Sequence, residues 1–229
     1  MTAISQKPGK YVTGIVGILI LLFLISLIGS NWFLGLLGLQ VINADVFFTS
    51  RMLYWLCLGL LWFYSIKIEK QHLLLWKERN YKLLHYLVSA IIIFLVLLAG
   101  MFIIQAILLA TGLNKQSKTL HEIAIMLKAN MPLLVFTALT AGVVEELIMR
   151  GYIQPRLEII FKNPYAAIII SSVLFGLLHY KYGTFANVLG PIFIGFVFAF
   201  YYWKFRNIKV IIICHFLWDV VSLLLIKVH

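Results

Sequence analysis

Residues 83–110 read LLHYLVSAIIIFLVLLAGMFIIQAILLA, a run of 28 residues without Asp, Glu, Lys or Arg. About 20 apolar residues are enough for a helix to cross the hydrocarbon core of a bilayer, so this stretch predicts a transmembrane helix. The rest of the chain has the same character: of its 229 residues, 63% are hydrophobic and 12% are charged, and the mean hydropathy is +1.01. Soluble domains are about half apolar and about a quarter charged. Composition therefore predicts an integral membrane protein.

Six further apolar stretches predict an all-α, polytopic transmembrane helix bundle of about seven spans that forms a single domain over residues 1–229. The predicted spans are 11–29, 52–66, 83–110, 131–150, 164–180, 185–203 and 208–226. The first could instead be a signal peptide, but its length and the lack of a small-residue cleavage pattern favour a retained helix. Residues 31–50 are apolar but interrupted by polar side chains, which favours a re-entrant or interfacial segment, with an eighth span as the alternative. Residues 111–130 form the main outer loop and could hold a short helix.

The net charge of +11 could suggest a nucleic-acid partner, but the positions of the basic residues predict a topology instead. With the N-terminus in the cytoplasm, twelve basic residues fall on the cytoplasmic side: Lys7, Lys10, Lys67, Lys70, Lys77, Arg79, Lys82, Arg156, Lys162, Lys204, Arg206 and Lys209. Six fall on the outer side: Arg51, Lys115, Lys118, Lys128, Lys181 and Lys227. This asymmetry predicts a cytoplasmic N-terminus and an external C-terminus, with contacts to anionic lipid rather than nucleic acid. Cys57 and Cys214 both lie inside apolar spans and predict no disulfide.

A small set of ionisable residues lies inside the predicted spans, where such groups are costly and are functional candidates. The fourth span carries Glu145, Glu146 and Arg150, the fifth carries His179, and the seventh carries His215 and Asp219. The C-terminal helices in 131–226 are therefore the expected location of a functional site.

Helical spacing predicts how the residues of the fourth and seventh spans pair. Glu146 and Arg150 are four apart, so they share a helix face and can form an ion pair. Glu145 projects about 100° away, without a partner on its own helix, and in a partly wet site it can accept a proton from water as a general base must. His215 and Asp219 are also four apart, so Asp219 could orient the imidazole.

Each of these features has a structural alternative. The Glu146–Arg150 pair could only anchor a helix end, His179 alone could be an interfacial histidine, and His215 with Asp219 could form a packing hydrogen bond. Their occurrence together on three helices favours a common functional site.

The combination Glu145-Glu146-x-x-x-Arg150, Phe175-x-x-x-His179 and His215-x-x-x-Asp219 resembles the three signature motifs of the CPBP family, in the family's order. That family contains the CAAX prenyl-protein endopeptidases and the bacterial Abi proteins, several of them associated with bacteriocin processing or self-immunity. The resemblance covers residues 145–219 and implies an α-helical bundle that cleaves peptide bonds in or beside the membrane. It also implies that Glu145 activates water with help from His179, while His215 and Asp219 stabilise the oxyanion.

Whether a cofactor takes part is left open by the sequence. His179, His215 and a carboxylate are ligand types for a divalent metal such as zinc. No HExxH pattern is present, however, because Ile125 stands where the second histidine would follow His121 and Glu122. A metal-free mechanism that depends on glutamate fits equally well, and the absence of GxSxG and GxGD patterns disfavours serine and aspartate chemistry.

The predicted spans contain one conflict of depth. Glu145 and His215 fall toward the cytoplasmic side of their spans, whereas His179 falls near the outer end of its span, on the order of 10 Å away at 1.5 Å per residue. We expect the fifth helix to begin deeper than Pro164, with residues 151–163 lining part of the cavity.

The leading functional hypothesis is a membrane-embedded endopeptidase of the bacterial cell membrane, acting on a peptide or protein in bacteriocin self-immunity, peptide processing or CAAX-type maturation. One alternative is a non-catalytic membrane immunity or scaffolding protein, which would not need Glu145. Another is a small ion-coupled transporter, disfavoured by the lack of an internal repeat. Neither the substrate nor the oligomeric state follows from the sequence.

Overall fold

A computed structural model of the protein describes residues 8–29, 31–36, 38 and 43–226, and every regular element within these ranges is helical. The α-helices are α1 (Pro8–Ser26), α2 (Asn31–Leu36), α3 (Ala44–Tyr64), α4 (Leu83–Ala110), α5 (Lys118–Lys128), α6 (Met131–Thr140), α7 (Gln154–Phe161), α8 (Pro164–Leu177), α9 (Ala186–Phe205) and α10 (Ile208–Leu225). Three π-helical segments extend or join them: Ser65–Glu69, Ala141–Glu145 and Leu147–Ile153.

Seven helices of the described residues are long and apolar enough to cross a membrane, as predicted. They are Pro8–Ser26, Ala44–Glu69, Leu83–Ala110, Met131–Phe161, Pro164–Tyr182, Ala186–Phe205 and Ile208–Leu225. Large apolar side chains on their outer faces are exposed; Phe102 and Leu84 on α4, for example, are 76% and 70% accessible. Such faces are suited to lipid. The protein is an all-α, polytopic integral membrane protein.

The second span begins earlier than predicted. It starts at Ala44 rather than at residue 52, because the side chain of Asn43 accepts a hydrogen bond from the backbone N–H of Val46 and caps the helix. Residues 44–50, expected in a re-entrant or interfacial segment, therefore belong to this span. Of the remainder of that segment, 31–36 form the short helix α2, whereas residues 37 and 39–42 lie outside the described residues.

The fourth span lies at the centre of the bundle. Of its most apolar window, 56% is buried inside the protein, against 17–39% for the other six spans. It also continues to Phe161, about three turns beyond the predicted end at residue 150. The prediction failed because Arg150 and Arg156 suggested a membrane boundary, whereas both side chains are fully buried and paired within the protein.

A buried ion pair joins the second span to the fourth. Arg156 donates two hydrogen bonds to Oε2 of Glu69, from Nε at 2.9 Å and from Nη2 at 2.5 Å. It donates a further one to Oγ of Ser65, and the hydroxyl of Tyr152 donates to Oε1 of Glu69 at 2.5 Å. Arg156 therefore does not lie in a cytoplasmic loop, and Arg51 does not lie in an outer one, so neither belongs in the basic-residue counts from which the topology was predicted. The orientation of the chain stays a prediction.

Glycine allows the fourth and seventh spans to meet closely. A Cβ atom on Gly142 would lie 2.8 Å from the carbonyl oxygen of Ile212 and 3.0 Å from the backbone nitrogen of Phe216. No larger residue fits there without moving one backbone away from the other. This contact lies within one helical turn of Glu145, Glu146 and His215, so it determines how close those side chains can come.

Residues 111–130 contain a short helix, as expected: α5, whose N-terminus is capped by Ser117. The side of the membrane on which they lie stays a prediction. Cys57 and Cys214 are both buried and free.

Candidate active site

Residues of six spans, the second to the seventh, enclose a cavity of about 250 Å³ together with α5. Five of the residues quoted for the three sequence motifs line it: Glu145, Phe175, His179, His215 and Asp219. The other two, Glu146 and Arg150, are fully buried behind its wall. The structure therefore brings residues of all three motifs together. Five of them line the cavity, and Glu146 and Arg150 form a supporting pair behind it.

Glu146 connects the first motif to the third. Its Oε1 accepts a hydrogen bond from Nη1 of Arg150 at 2.8 Å, which is the ion pair that the spacing predicted. The same oxygen accepts a hydrogen bond from Nδ1 of His215, also at 2.8 Å. A carboxylate that is 0% exposed is stabilised by two such charge-assisted contacts. Glu146 thus fixes the orientation of the His215 ring across the interface between the fourth and seventh spans.

Arg150 is held by aromatic rings as well as by Glu146. Its guanidinium carbon lies 4.5 Å from the ring centroid of Phe175 and 5.8 Å from that of Phe198. Cation–π contacts of this kind partly compensate the loss of water around a buried cation. The absence of a side chain on Gly195 leaves room for the guanidinium, since a Cβ there would lie 3.1 Å from Nη2.

His179 is oriented by the backbone of its own helix. It follows the last turn of α8, and its Nδ1 lies 2.8 Å from the carbonyl oxygen of Phe175. A carbonyl oxygen only accepts, so Nδ1 carries the proton and Nε2 is the nitrogen left for the cavity. In the neutral ring Nε2 is therefore an acceptor.

Asp219 does not hold His215 in the way the spacing predicted. The nearest distance, from Nε2 of His215 to Oδ2 of Asp219, is 3.7 Å, too long for a hydrogen bond. The orienting carboxylate is Glu146, on a different helix, and it binds the opposite nitrogen. Asp219 instead lines the cavity next to the free edge of the ring.

Glu145 presents an unpaired carboxylate oxygen at the cavity. It lines the cavity, and its Oε2 is buried with no hydrogen-bond donor among the described residues within reach. Burial of such an oxygen without a donor is unfavourable. A group placed in this way is poised to accept a hydrogen bond from a molecule that enters the cavity.

The conflict of depth between His179 and Glu145 is resolved by the length of the fourth span. Glu145 lies near the middle of Met131–Phe161, so it is not at the cytoplasmic end of its helix. The expectation that residues 151–163 line the cavity is wrong. That segment continues the fourth span, and none of its residues reaches the cavity wall.

The cavity holds histidine and carboxylate side chains, which are ligand types for zinc. Among the residues that the structure describes, no group of three or more His, Cys, Asp and Glu side chains is arranged to hold an ion. Nδ1 of His215 and Nδ1 of His179 are both engaged by protein oxygens, so Nε2 is the nitrogen of each ring that is left for the cavity. The described side chains do not form a complete ligand set for zinc.

Two further residues of the cavity wall were not predicted from the sequence as members of the site. Arg51 lines the cavity from the second span, and Tyr182 lines it from the turn after His179. Arg51 could have been placed inside a span from the sequence Asn43-Ala-Asp45. Asparagine is a common helix cap, and an acidic residue in the first turn also indicates the start of a helix.

Comparison with known proteins points to one family. The family model described as type II CAAX prenyl endopeptidase, Rce1-like, matches residues 127–221. No curated protein and no solved structure matches the chain. The matched region contains the whole of the cavity-lining motif set, Glu145 to Asp219, and the supporting pair Glu146 and Arg150. Over residues 127–221 the chain is therefore similar to the Rce1-like CAAX prenyl endopeptidases, which supports the resemblance to the CPBP family.

Proposed function

We propose that the protein cleaves a peptide bond within the membrane by a mechanism in which Glu145 activates a water molecule. The observation that supports this most directly is the unpaired, buried Oε2 of Glu145 in a cavity that it shares with His179 and His215. Oε2 of Glu146 and Oε2 of Glu158 are also buried without a donor, but Glu146 has an ion pair through Oε1 and neither residue lines the cavity.

In the first step, Glu145 accepts a proton from water while the water oxygen attacks the carbonyl carbon of the scissile bond. The electron pair of the C=O bond moves to the carbonyl oxygen, and a tetrahedral oxyanion forms. His179, with its Nε2 lone pair facing the cavity, helps to align the water. General-base catalysis of this kind requires the carboxylate within about 3 Å of the attacking oxygen.

The oxyanion is stabilised by His215. Its Nδ1–H is used by Glu146, so the ring stabilises negative charge through Nε2–H, which is present when the imidazole is protonated. Asp219 can donate to the oxyanion only in its acid form; as a carboxylate it acts through the 3.7 Å contact with the ring. Such preorganised donors contribute strongly in a site of low dielectric constant.

In the second step the tetrahedral intermediate collapses. The C–N bond breaks, the oxyanion returns to a carbonyl, and the proton held by Glu145 passes to the leaving amine. The products are a new carboxyl terminus and a new amino terminus, so the reaction balances with one water consumed.

The biological setting belongs to the same proposal. We place the protein in a bacterial cell membrane with a cytoplasmic N-terminus and an external C-terminus, acting on a peptide or protein in the bilayer. Its role is bacteriocin self-immunity, peptide processing or CAAX-type maturation. The Rce1-like match favours substrates of the CAAX type among these.

The deciding experiment compares membranes that contain wild-type protein with membranes that contain Glu145→Gln, using peptide pools and mass spectrometry. Wild type should release new termini and Glu145→Gln should not, at equal protein level. Absence of cleavage by the wild type across prenylated and unmodified pools would support the non-catalytic or transporter alternatives instead.

A further inference from the structure

Arg51 is a buried cation that forms no ion pair among the described residues. It is 8% exposed, on the second span, and none of the Asp and Glu oxygens in the described residues lies within 4.0 Å of its guanidinium. Its Nε donates to Oγ of Ser50 at 3.3 Å, and the group lies 4.8 Å from the ring centroid of Phe47 and 4.6 Å from that of Tyr54. The other two buried arginines of the spans, Arg150 and Arg156, each have a glutamate. A buried charge without a counter-ion is costly unless another group binds it.

The position of Arg51 shows where such a group would lie. A second, smaller cavity of about 40 Å³ adjoins the first, and both are lined by Arg51, Glu145, Phe175, His179 and Tyr182. A cavity of roughly 10–15 Å³ by the same measure holds one water molecule, so the smaller cavity suits a group of a few atoms. The guanidinium therefore lies on the common wall of the two cavities, beside the unpaired carboxylate.

The charges divide unequally between the two cavities. The smaller one is lined by two cationic residues, Arg51 and Lys181, and by one carboxylate, that of Glu145. The larger one is lined by Arg51, by the carboxylates of Glu145 and Asp219, and by His215, which is a second cation when its ring is protonated. The remaining wall of the smaller cavity is formed by His179 and by apolar or aromatic side chains: Leu22, Tyr54, Ile148, Met149, Phe175, Leu178 and Tyr182. The balance of charge therefore favours a resident anion more in the smaller cavity than in the larger one.

We propose that Arg51, assisted by Lys181, binds a carboxylate of the substrate and thereby fixes the position of the peptide relative to Glu145. The planar guanidinium presents paired N–H donors that match the two oxygens of a carboxylate. Lys181 contributes a second positive charge from the turn after His179. This inference rests on the proposed peptidase function and adds a determinant of its specificity. The carboxylate can be the free C-terminus of the peptide or an acidic side chain near the scissile bond.

The test uses three peptide pools of matched apolar sequence: free C-terminal acids, C-terminal amides, and acids in which internal Asp and Glu are replaced by Asn and Gln. Wild type, Arg51→Gln, Arg51→Lys and Lys181→Gln are compared in proteoliposomes, with Lys118→Gln as the matched control. Lys118 is an exposed cation at the start of α5, outside both cavities. The readout is kcat/KM for each pool, with thermal melting as a check on folding.

We expect wild type to discriminate by about tenfold or more against the pool that lacks the recognised carboxylate, the size expected for a lost charged hydrogen bond. Loss with the amide pool identifies the C-terminus, and loss with the Asn/Gln pool identifies an acidic side chain. Arg51→Gln should lose this discrimination, Arg51→Lys should keep part of it, Lys181→Gln should weaken it by a smaller factor, and Lys118→Gln should behave as wild type.

Equal kcat/KM of the wild type for all three pools would overturn the proposal. It would also be overturned if Arg51→Gln lowered kcat/KM by the same factor for every pool, because the discrimination between pools would then not depend on Arg51. If Arg51→Gln fails to fold, Arg51→Lys and Lys181→Gln decide the same question. A separate arm measures binding of the three fluorescent pools to the Glu145→Gln protein and to the same protein with Lys181→Gln added. If binding depends on the carboxylate but the wild type cleaves none of the pools, the proposed peptidase function is wrong and the proposed anion site is supported.

Discussion

Oε1 of Glu146 lies 2.8 Å from Nδ1 of His215, although the two residues are 69 positions apart in the chain. The same oxygen is 2.8 Å from Nη1 of Arg150. Adjacent glutamates on one helix therefore have different environments, because Glu146 is shared by two cationic or donor groups while Glu145 faces the cavity.

Substitution of the two glutamates should separate chemistry from folding. Glu145→Gln keeps the shape of the side chain and removes the base, so we expect cleavage to be abolished with membrane level and melting temperature near those of wild type. Glu146→Gln weakens the contacts to Arg150 and His215, so we expect it to lower the melting temperature as well as the activity. Both properties are measured on the same purified samples. Equal destabilisation by the two variants would contradict the division of roles.

Removal of Arg150 should leave the carboxylate of Glu146 buried with its ion pair broken. By analogy with other broken buried pairs, Arg150→Ala should cost about 3–5 kcal/mol of stability. Folded protein in the membrane should fall together with activity. Normal accumulation with unchanged melting in detergent would show that the pair is unimportant for folding.

Substitutions of Glu69 and Arg156 should have non-additive effects on stability. Arg156→Met alone leaves Glu69 unpaired in the interior and should be strongly destabilising, by about 3–5 kcal/mol. Adding Glu69→Leu removes the orphaned charge, so the double variant should recover much of the lost stability, as replacement of buried ion pairs by apolar residues often does. Thermal melting of the two single variants and the double variant gives the coupling energy. Additive effects would argue against a direct pair.

Gly142 should be intolerant of a larger side chain. Gly142→Val places atoms against the carbonyl of Ile212 and the backbone of Phe216, and we expect a loss of about 1–3 kcal/mol from overpacking. Activity should fall as well, because His215 moves away from Glu146. Gly59→Val is the matched control, since a Cβ at Gly59 meets no atom within 4 Å and the residue is exposed on a membrane span. If both variants melt like wild type, the close approach of the two spans is not needed.

The predicted topology has a direct test. Reporter fusions placed after Lys82 and after His229 should report opposite sides of the membrane, because five spans, an odd number, separate the two positions. Two spans precede Lys82, whereas all seven precede the C-terminus. Reporters on the same side would require a different number of spans.

Local patterns predicted the parts of this protein that depend on local geometry. The seven apolar runs and the Glu146–Arg150 pair follow from span length and from four-residue spacing. The same spacing led to the wrong partner for His215, because a residue on another helix came closer than Asp219. The ends of the second and fourth spans were misplaced for a related reason. Arg51 and Arg156 are charged, and a single sequence does not show which charges are enclosed by protein.

The π-helical turns between Thr140 and Gln154 have a consequence for changes in chain length. An i→i+5 turn contains one residue more than an i→i+4 turn, so loss of a single residue would allow one of these turns to return to α-helical geometry. A deletion from a regular α-helix rotates every side chain beyond it by about 100° about the helix axis. At a π turn the deletion would instead remove the extra residue and leave that orientation unchanged. Arg156 and Gln154 would therefore keep their contacts with Glu69 and with the carbonyl of Ala199. Related chains should accordingly tolerate the loss of one residue between 140 and 154 better than a loss inside a regular helix of the bundle.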